Sequence, residues 1–338
     1  MNDNVLVSVL IPVYGVEKYI EQCVRSLFSQ TMKDEIEFIF TDDCTSDRSM
    51  EIIESVLNDF PERRHQVKII KHRENQGLAM ARLTGLHAAR GKYVIHCDSD
   101  DWVEPDMYRL LYEEAVKSNA DIVGCDYTQV FHDEEVVRKQ DFSLNQDSMI
   151  PELIKGRKIQ TYLWNRLIKR SFYLQGGYKA DKGTTLFEDT AATLPMHINT
   201  VNVGYVPLPL YNYRCTDKTS MSATLTDKSI KSAIDVFYNL SLLPTREIWH
   251  KEISARLKAF LFCRALSKNY RDIKSWKNIE LPILLARPMS LSFSEKLTVR
   301  LIKNKHYRSQ YVVFRLRRIW KILMKPFKLF SRLRLRPL

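Results

Sequence analysis

Apolar runs and helix-spaced apolar positions take turns through the first 127 residues. Residues 5–11 form an apolar run of the kind found in a strand buried on both faces. Val16, Ile20, Cys23, Val24, Leu27 and Phe28 then recur at helical spacing. The same alternation predicts a strand over 36–40 and a helix over 47–60 with Ile52, Ile53, Val56 and Leu57 inward. A strand over 67–70, a helix over 78–89, a strand over 93–97, a helix over 105–117 and a strand over 122–125 follow. Pro105 suits the first turn of its helix, where no backbone N–H is needed. Strands alternating with helices imply parallel βαβ units. The expected fold is therefore α/β, a doubly wound, mostly parallel sheet with helices on both faces.

A sheet of that kind binds ligands outside the carboxyl ends of its strands. Those ends hold Pro12-Val13-Tyr14, then Asp42-Asp43, then Asn75-Gln76-Gly77, then Asp98-Ser99-Asp100-Asp101. Carboxylates packed this closely repel unless a cation offsets them, and oxygen ligands suit Mg2+ or Mn2+. The cluster is too sparse for an all-protein cage, so a cation there would share substrate phosphates. The alternative is a solvated acidic turn capping the next helix. Asp43, and less readily Asp42, could accept a hydrogen bond from a nucleobase or ribose; both could equally be turn residues. Arg82 falls on the helix after Gly77, either reaching a diphosphate or lying on the surface. His96 reads as a packed histidine. No GxGxxG, Walker A, HExxH or GxSxG pattern occurs, so those enzyme classes receive no support.

Charge changes the picture only at the end of the chain. The formal net charge is +12. Residues 296–338 contain 14 Lys plus Arg and no acid, which leaves the preceding residues with 38 basic and 40 acidic side chains. The body therefore has no bias toward nucleic acid. Val312, Leu316, Ile319, Trp320, Leu323 and Phe327 share one helical stripe in that tail, with Arg318, Lys321, Lys325 and Lys328 away from it. The pattern suits a helix lying at a membrane surface. Packing against the body and phosphate binding are the alternatives. The six cysteines are scattered without metal spacing and read as reduced cytosolic thiols. The N-terminal apolar run contains a proline and lacks a basic flank, so it reads as a strand and not as a leader.

Three segments, VSVLIPVYGVEKYI, FTDDCTSDRSMEII and ENQGLAMARLTGLHAARGKYVIHCDSDDWVEPDM, together resemble the inverting glycosyltransferases of family 2, of the bacterial polysaccharide and lipopolysaccharide type. The likeness is dense over residues 5–127. It continues more thinly through Trp164-Asn165-Arg166-Leu167, Phe187-Glu188-Asp189 and Tyr211-Asn212-Tyr213-Arg214 to Ser220-Met221. It implies a GT-A fold and a nucleotide-sugar donor, a UDP-sugar by resemblance. Pro12, Val13 and Tyr14 would line the nucleobase pocket and Asp43 would bond the base. Asn75, Gly77 and Arg82 would flank the donor. Asp98 and Asp100 match the metal- and donor-binding DxD motif, with Asp100 the more direct ligand of Mn2+ or Mg2+. Asp189 matches the general base, and Arg214 a position facing the diphosphate. Gly15, Cys44 and Leu83 stand where the family often has Asn, Gly and Asn.

The resemblance implies an acceptor hydroxyl on a glycan or lipid-linked molecule, attacked from the face opposite the leaving diphosphate. It divides residues 1–225 into a donor half (1–127) and an acceptor and base half (128–225); beyond it the residues themselves read as a helical extension (226–295) and the basic tail (296–338). That organisation implies an enzyme held peripherally at the cytoplasmic face of the cell membrane, with no nucleic-acid partner. Trp164 could stack on an acceptor sugar or belong to the core. Two other readings stay open: a nucleotidyltransferase that makes nucleotide-sugars, and a non-catalytic membrane-associated protein that keeps the donor fold.

Overall fold

The structure is a computed structural model that describes residues 5–142, 145–156, 158–176, 184, 187–200, 202–215, 227–243, 249 and 253. The chain divides into two compact units, Met1–Thr245 and Arg246–Leu338. The second lies almost wholly outside the described residues, and with it the basic tail and most of the helical extension. Among the described residues no helix is long and apolar enough to cross a membrane.

The first unit begins as the alternation predicts. β1 (Val7–Val13), α1 (Ile20–Phe28), β2 (Ile36–Asp42), α2 (Ser49–Asp59) and a 3-10 turn (Pro61–Gln66) lead to β3 (Val67–Lys71). Then come α3 (Leu78–Ala88), β4 (Tyr93–His96), β5 (Trp102–Val103), α4 (Met107–Lys117) and β6 (Ile122–Val130). β7 (Glu135–Arg138), α5 (Gln146–Lys155), β8 (Arg166–Lys169), α6 (Arg170–Gln175), α7 (Glu188–Asn199), β9 (Val203–Arg214) and α8 (Asp227–Ser241) complete it. Every residue of β1 and β2 is buried, because helices cover both faces. Val7, Val9, Ile11 and Val13 point to one side, where they meet Ile20 and Leu27 of α1, Ile53 of α2 and Leu111 of α4. Leu10 points to the other, with Leu86 of α3, Tyr173 of α6 and Met196 of α7. The two-residue period of a strand thus builds a core on each face.

Among the described residues the sheet has nine strands in the order β3-β2-β1-β4-β8-β6-β9-β5, with β7 on β6. β1 to β4 are parallel neighbours. The simple βαβ expectation fails after β4. β8, from much later in the chain, inserts antiparallel between β4 and β6, pairing Val94 with Ile168 and Ile122 with Ile168. The short β5 pairs antiparallel with β9, Trp102 opposite Asn212. Neither strand has a strong sequence signal, since one is two residues long and the other, RLIK, is short and half charged.

Candidate active site

The parallel register brings the carboxyl ends of β1, β2 and β4 onto one rim. Val13 lies beside Asp42, and Leu10 beside His96. Beyond Val13 the chain turns outward. Tyr14 is 55% exposed, whereas Pro12 and Val13 are buried. Gly15 turns at φ +69°, a left-handed conformation that costs glycine little. The turn is held from β2's side: Gly15 N–H donates to Thr45 Oγ1 (2.9 Å), Val16 N–H to Ser49 Oγ (3.2 Å) and Glu17 N–H to Asp47 Oδ2 (2.9 Å). Burial alone would raise Asp47. Donors from Ser49, Glu17 and Thr45 outweigh it and hold the carboxyl below its ordinary range. Cys44, where the family often has Gly, takes φ 60°.

Asp43 faces inward. Its Oδ1 meets His72 Nδ1 (2.7 Å) and accepts from Gln76 N–H (2.8 Å), and its Oδ2 accepts from Gly77 N–H (2.8 Å). Asn75 Nδ2 donates to the Asp43 carbonyl (3.3 Å). Gly77 has φ +92°, which only glycine adopts without strain. Asp43 therefore shapes the Asn75–Gly77 loop that opens α3.

α3 carries Arg82 into the centre of the rim. The side chain is 1% exposed, so the surface alternative does not hold. Its Nη2 donates to Asp98 Oδ1 at 2.7 Å, and its Nη1 to Asp189 Oδ1 at 2.5 Å and Glu188 Oε1 at 3.4 Å. Arg82 Nε is buried without a hydrogen-bond partner among the described residues. Burial disfavours the guanidinium's charge, but Asp189, Asp98 and Glu188 overcome this and hold Arg82 well above its ordinary range. Asp189 behaves in the opposite way. Burial pushes its carboxyl up to about 7 against the pull of Arg82, with Glu188 and Asp98 adding to the rise. A base near neutral pH is what proton abstraction from a hydroxyl requires. Phe187, just before α7, sits at φ 64°, an uncommon conformation for a bulky residue.

The loop after β4 divides its carboxylates by role. Asp98 and Asp100 lie part-exposed at the mouth, while Asp101 is fully buried. Asp101 accepts from Tyr211 Oη (2.8 Å) and from Arg214 N–H (2.7 Å). Burial, with Asp100 and Asp98 alongside, holds its carboxyl well above the ordinary range. Tyr211 Oη also accepts from Asp98 N–H (3.1 Å). Arg214 donates through Nε to the Asp100 carbonyl (2.7 Å) and through Nη2 to Gln22 (2.6 Å), with Tyr19 and Trp102 rings 4.9 and 4.7 Å from its guanidinium. Arg214 and Tyr211 thus clamp the Asp98–Asp101 loop from behind. His96 is packed, its Nε2 3.2 Å from Tyr173 Oη, and burial lowers it well below its ordinary range.

The residues fit a divalent cation shared with phosphates. One buried guanidinium faces three carboxylates at the mouth, an excess of negative charge that a cation would relieve. Among the described residues no set of three His, Cys, Asp or Glu side chains forms a metal cage, so such an ion would draw on donor oxygens and water. Trp164 does not offer a sugar platform. It is 2% exposed, with Tyr162 stacked on it at 4.6 Å and Tyr211 at 4.2 Å. Sequence reasoning gave no role to Tyr211, Tyr162 or Asp101. The aromatic run Tyr211-Asn212-Tyr213 was the available signal for the first.

The model for "Glycosyl transferase family 2" matches residues 8–181. A Bacillus subtilis protein described as the uncharacterized glycosyltransferase EpsJ is 34% identical over 236 residues, which are 68% of this chain and 65% of that one. The chain thus spans just under two thirds of that relative's length. Staphylococcus aureus TarS residues 1–349, solved in complex with UDP, superposes with a TM-score of 0.70 at 16% identity, covering 93% of this chain and 91% of that one. The mannosyltransferase PcManGT from Pyrobaculum calidifontis, solved with GDP-Man and Mn2+, gives a TM-score of 0.54 at 16% identity over 91% and 83% of the two chains. Those two likenesses speak for the GT-A fold. The family match spans more than half of the residues and includes both acidic strand ends, so the chain belongs to glycosyl transferase family 2.

Proposed function

We propose that the protein is an inverting glycosyltransferase that moves a sugar from a nucleoside-diphosphate donor to a hydroxyl of a glycan or lipid-linked acceptor in cell-surface polysaccharide synthesis. The observation that carries this reading is Arg82, which joins Asp98 on the donor side to Asp189 on the acceptor side in one buried cluster. The donor is taken as a UDP-sugar. TarS, solved with UDP and with UDP-GlcNAc, supports the nucleotide, and PcManGT, solved with GDP-Man and Mn2+, supports a nucleotide-sugar more broadly.

Asp98 and Asp100 would hold Mn2+ or Mg2+, which when bound supplies Lewis-acid stabilisation of the departing diphosphate. Pro12, Val13 and Tyr14 form the wall of the base pocket, with Asp43 below it. Asp43 also fixes Asn75 and Gly77 at the donor's flank. Arg82 adds fixed positive charge where negative charge grows. Arg214 acts by holding the Asp100 backbone in place. Asp189 removes the proton from the acceptor hydroxyl as it attacks C1 from the opposite face, a contribution of about 10²–10⁴-fold in rate. One in-line displacement inverts the anomeric centre.

The test is incubation of the full chain with a panel of nucleotide-sugars and Mn2+ or Mg2+, scoring nucleoside diphosphate release and thermal shift. A ligand at a hundred times its Kd stabilises by about 2.7 kcal/mol. No response to any donor would overturn the donor reading. Asp189→Asn should keep the donor-induced shift and lose transfer; normal transfer would remove Asp189 from the base role. The tail at 296–338 is the proposed attachment to the cytoplasmic face of the membrane. Its removal should shift the protein to the soluble fraction, and a truncated protein that still sediments with membranes contradicts that assignment.

A further inference from the structure

Beyond the aromatic stack lies a cavity of about 610 Å³ that no step above uses. It opens against the β6–β7 hairpin and is lined by Tyr127, Gln129, Arg138, Lys139, Gln140 and Tyr162, among others. We propose that this cavity is the acceptor subsite and that it selects a sugar carrying an anionic group, a carboxylate or a phosphate ester. The inference rests on the transferase reading and adds the acceptor's chemical class.

Tyr162 stacks on Trp164, Trp164 stacks on Tyr211, and the Tyr211 hydroxyl contacts both Asp98 N–H and Asp101. Tyr162, on the cavity wall, is thereby linked through packed rings to the loop after β4. On the other side, Thr161 Oγ1 lies 2.9 Å from Thr190 Oγ1, and Thr193 Oγ1 donates to the Thr161 carbonyl at 2.8 Å. The segment bearing Tyr162 is thus tied to the turn of α7 that bears Asp189. Arg166 braces the same segment from below. Its fully buried guanidinium donates to the carbonyls of Gln160 and Tyr162 and to Asn165 Oδ1. An aromatic wall held in this way is preorganised.

Tyr162, part-exposed, offers ring surface to the C–H face of a pyranose, and Gln129, also part-exposed, has an amide Nε2 that can donate to its hydroxyls; Tyr127 and Gln140 are buried behind them. Arg138 and Lys139 add two cations, and none of the described lining residues is acidic. Arg138 Nε donates to Gln129 Oε1 at 2.7 Å, which orients the guanidinium without neutralising it. Among the described residues neither cation is paired with a carboxylate. Both side chains are exposed, so beside a neutral sugar they stay with water; an anionic one would take charge-assisted hydrogen bonds from them.

The experiment titrates the full chain, in the presence of UDP and Mn2+, with three probes by calorimetry. The probes are a glucuronate-containing disaccharide, a hexose phosphate and the neutral glucose disaccharide. At least one anionic probe should bind about tenfold or more tighter than the neutral one, the size expected for hydrogen bonds to charged groups. The double variant Arg138→Gln with Lys139→Gln should erase that preference and leave the neutral affinity as it was, while Arg138→Lys should retain most of it. Preference for the carboxylate probe alone identifies an acidic sugar, and for the phosphate probe alone a phosphorylated one. Equal affinity for charged and neutral probes, no saccharide binding at all, or a preference that survives the double variant overturns the proposal. The UDP-induced thermal shift is recorded separately. Its absence from the wild-type protein strikes the donor reading itself, and its persistence in the double variant verifies the fold.

Discussion

Replacing Arg82 with Gln removes the cation that, among the described residues, ion-pairs with Asp98, Glu188 and Asp189. Asp98, Glu188 and Asp189 keep only 24%, 15% and 16% exposure, so water compensates little. Breaking a buried ion pair by removing one partner costs about 3–5 kcal/mol. Residual hydration of the three carboxylates places this site at the lower end, about 3 kcal/mol. For a unit of this size each kcal/mol moves Tm by about 2–4 °C, so Arg82→Gln should melt roughly 6–12 °C below wild type at pH 8. The pH dependence is specific. Asp189 has a raised folded pKa, about 7, so its ionised form burdens the folded state above that pH and not well below it. Loss of Arg82 raises that pKa further and enlarges the burden only where Asp189 would be charged. The gap in Tm should therefore narrow between pH 8 and pH 5.5, measured by circular dichroism on both proteins. A loss under 2 °C at pH 8, or a gap that widens as pH falls, would refute the argument that Arg82 is the electrostatic centre of the site.

Three further outcomes follow from the same geometry. The transfer rate kcat/KM should fall about tenfold per pH unit below about 7 as Asp189 is protonated; a profile flat down to pH 5 would show that another group takes the proton. Tyr211→Phe removes a fully buried hydroxyl that donates to Asp101 and accepts from Asp98 N–H, so stability should drop by about 1–3 kcal/mol and the apparent Mn2+ affinity in the donor-binding assay should weaken. If both stay unchanged, the clamp on this loop is not functional. Trp164→Ala should cost about 3–5 kcal/mol in chemical denaturation, as a core truncation does. A stable variant whose acceptor KM alone rises would return Trp164 to the role of sugar platform.

The parallel half of the fold was legible because its strands are fully buried and its helices amphipathic. β1 and β2 have no exposed residue, and the stripe Ile20, Cys23, Val24, Leu27 and Phe28 is the buried face of α1. Legibility ended where local pattern gave way to long-range pairing. β8 is four residues long and owes its place to β4 and β6, and β5 is two residues pinned by β9. The acidic strand ends were visible as types and spacings, but not the division of labour among them. That Asp101 turns inward depends on Tyr211 and Arg214, more than a hundred residues away. Nothing local distinguishes Arg82 from a surface arginine on an alanine-rich helix. Asp98 and Asp189 bury it.

The antiparallel insertion of β8 bears on how the protein is made. Until residue 169 has left the ribosome, β4 and β6 each present an unpaired edge, although their own residues emerge some forty to seventy positions earlier. Exposed strand edges invite pairing with other chains. A nascent chain stalled near residue 127, or a donor half expressed alone with that boundary, would therefore meet the cell as an aggregation-prone sheet. The sheet begun by the first half is completed at these edges only when β8 pairs with both strands. Its completion waits on the same stretch of chain that delivers the aromatic wall and, shortly afterwards, Asp189.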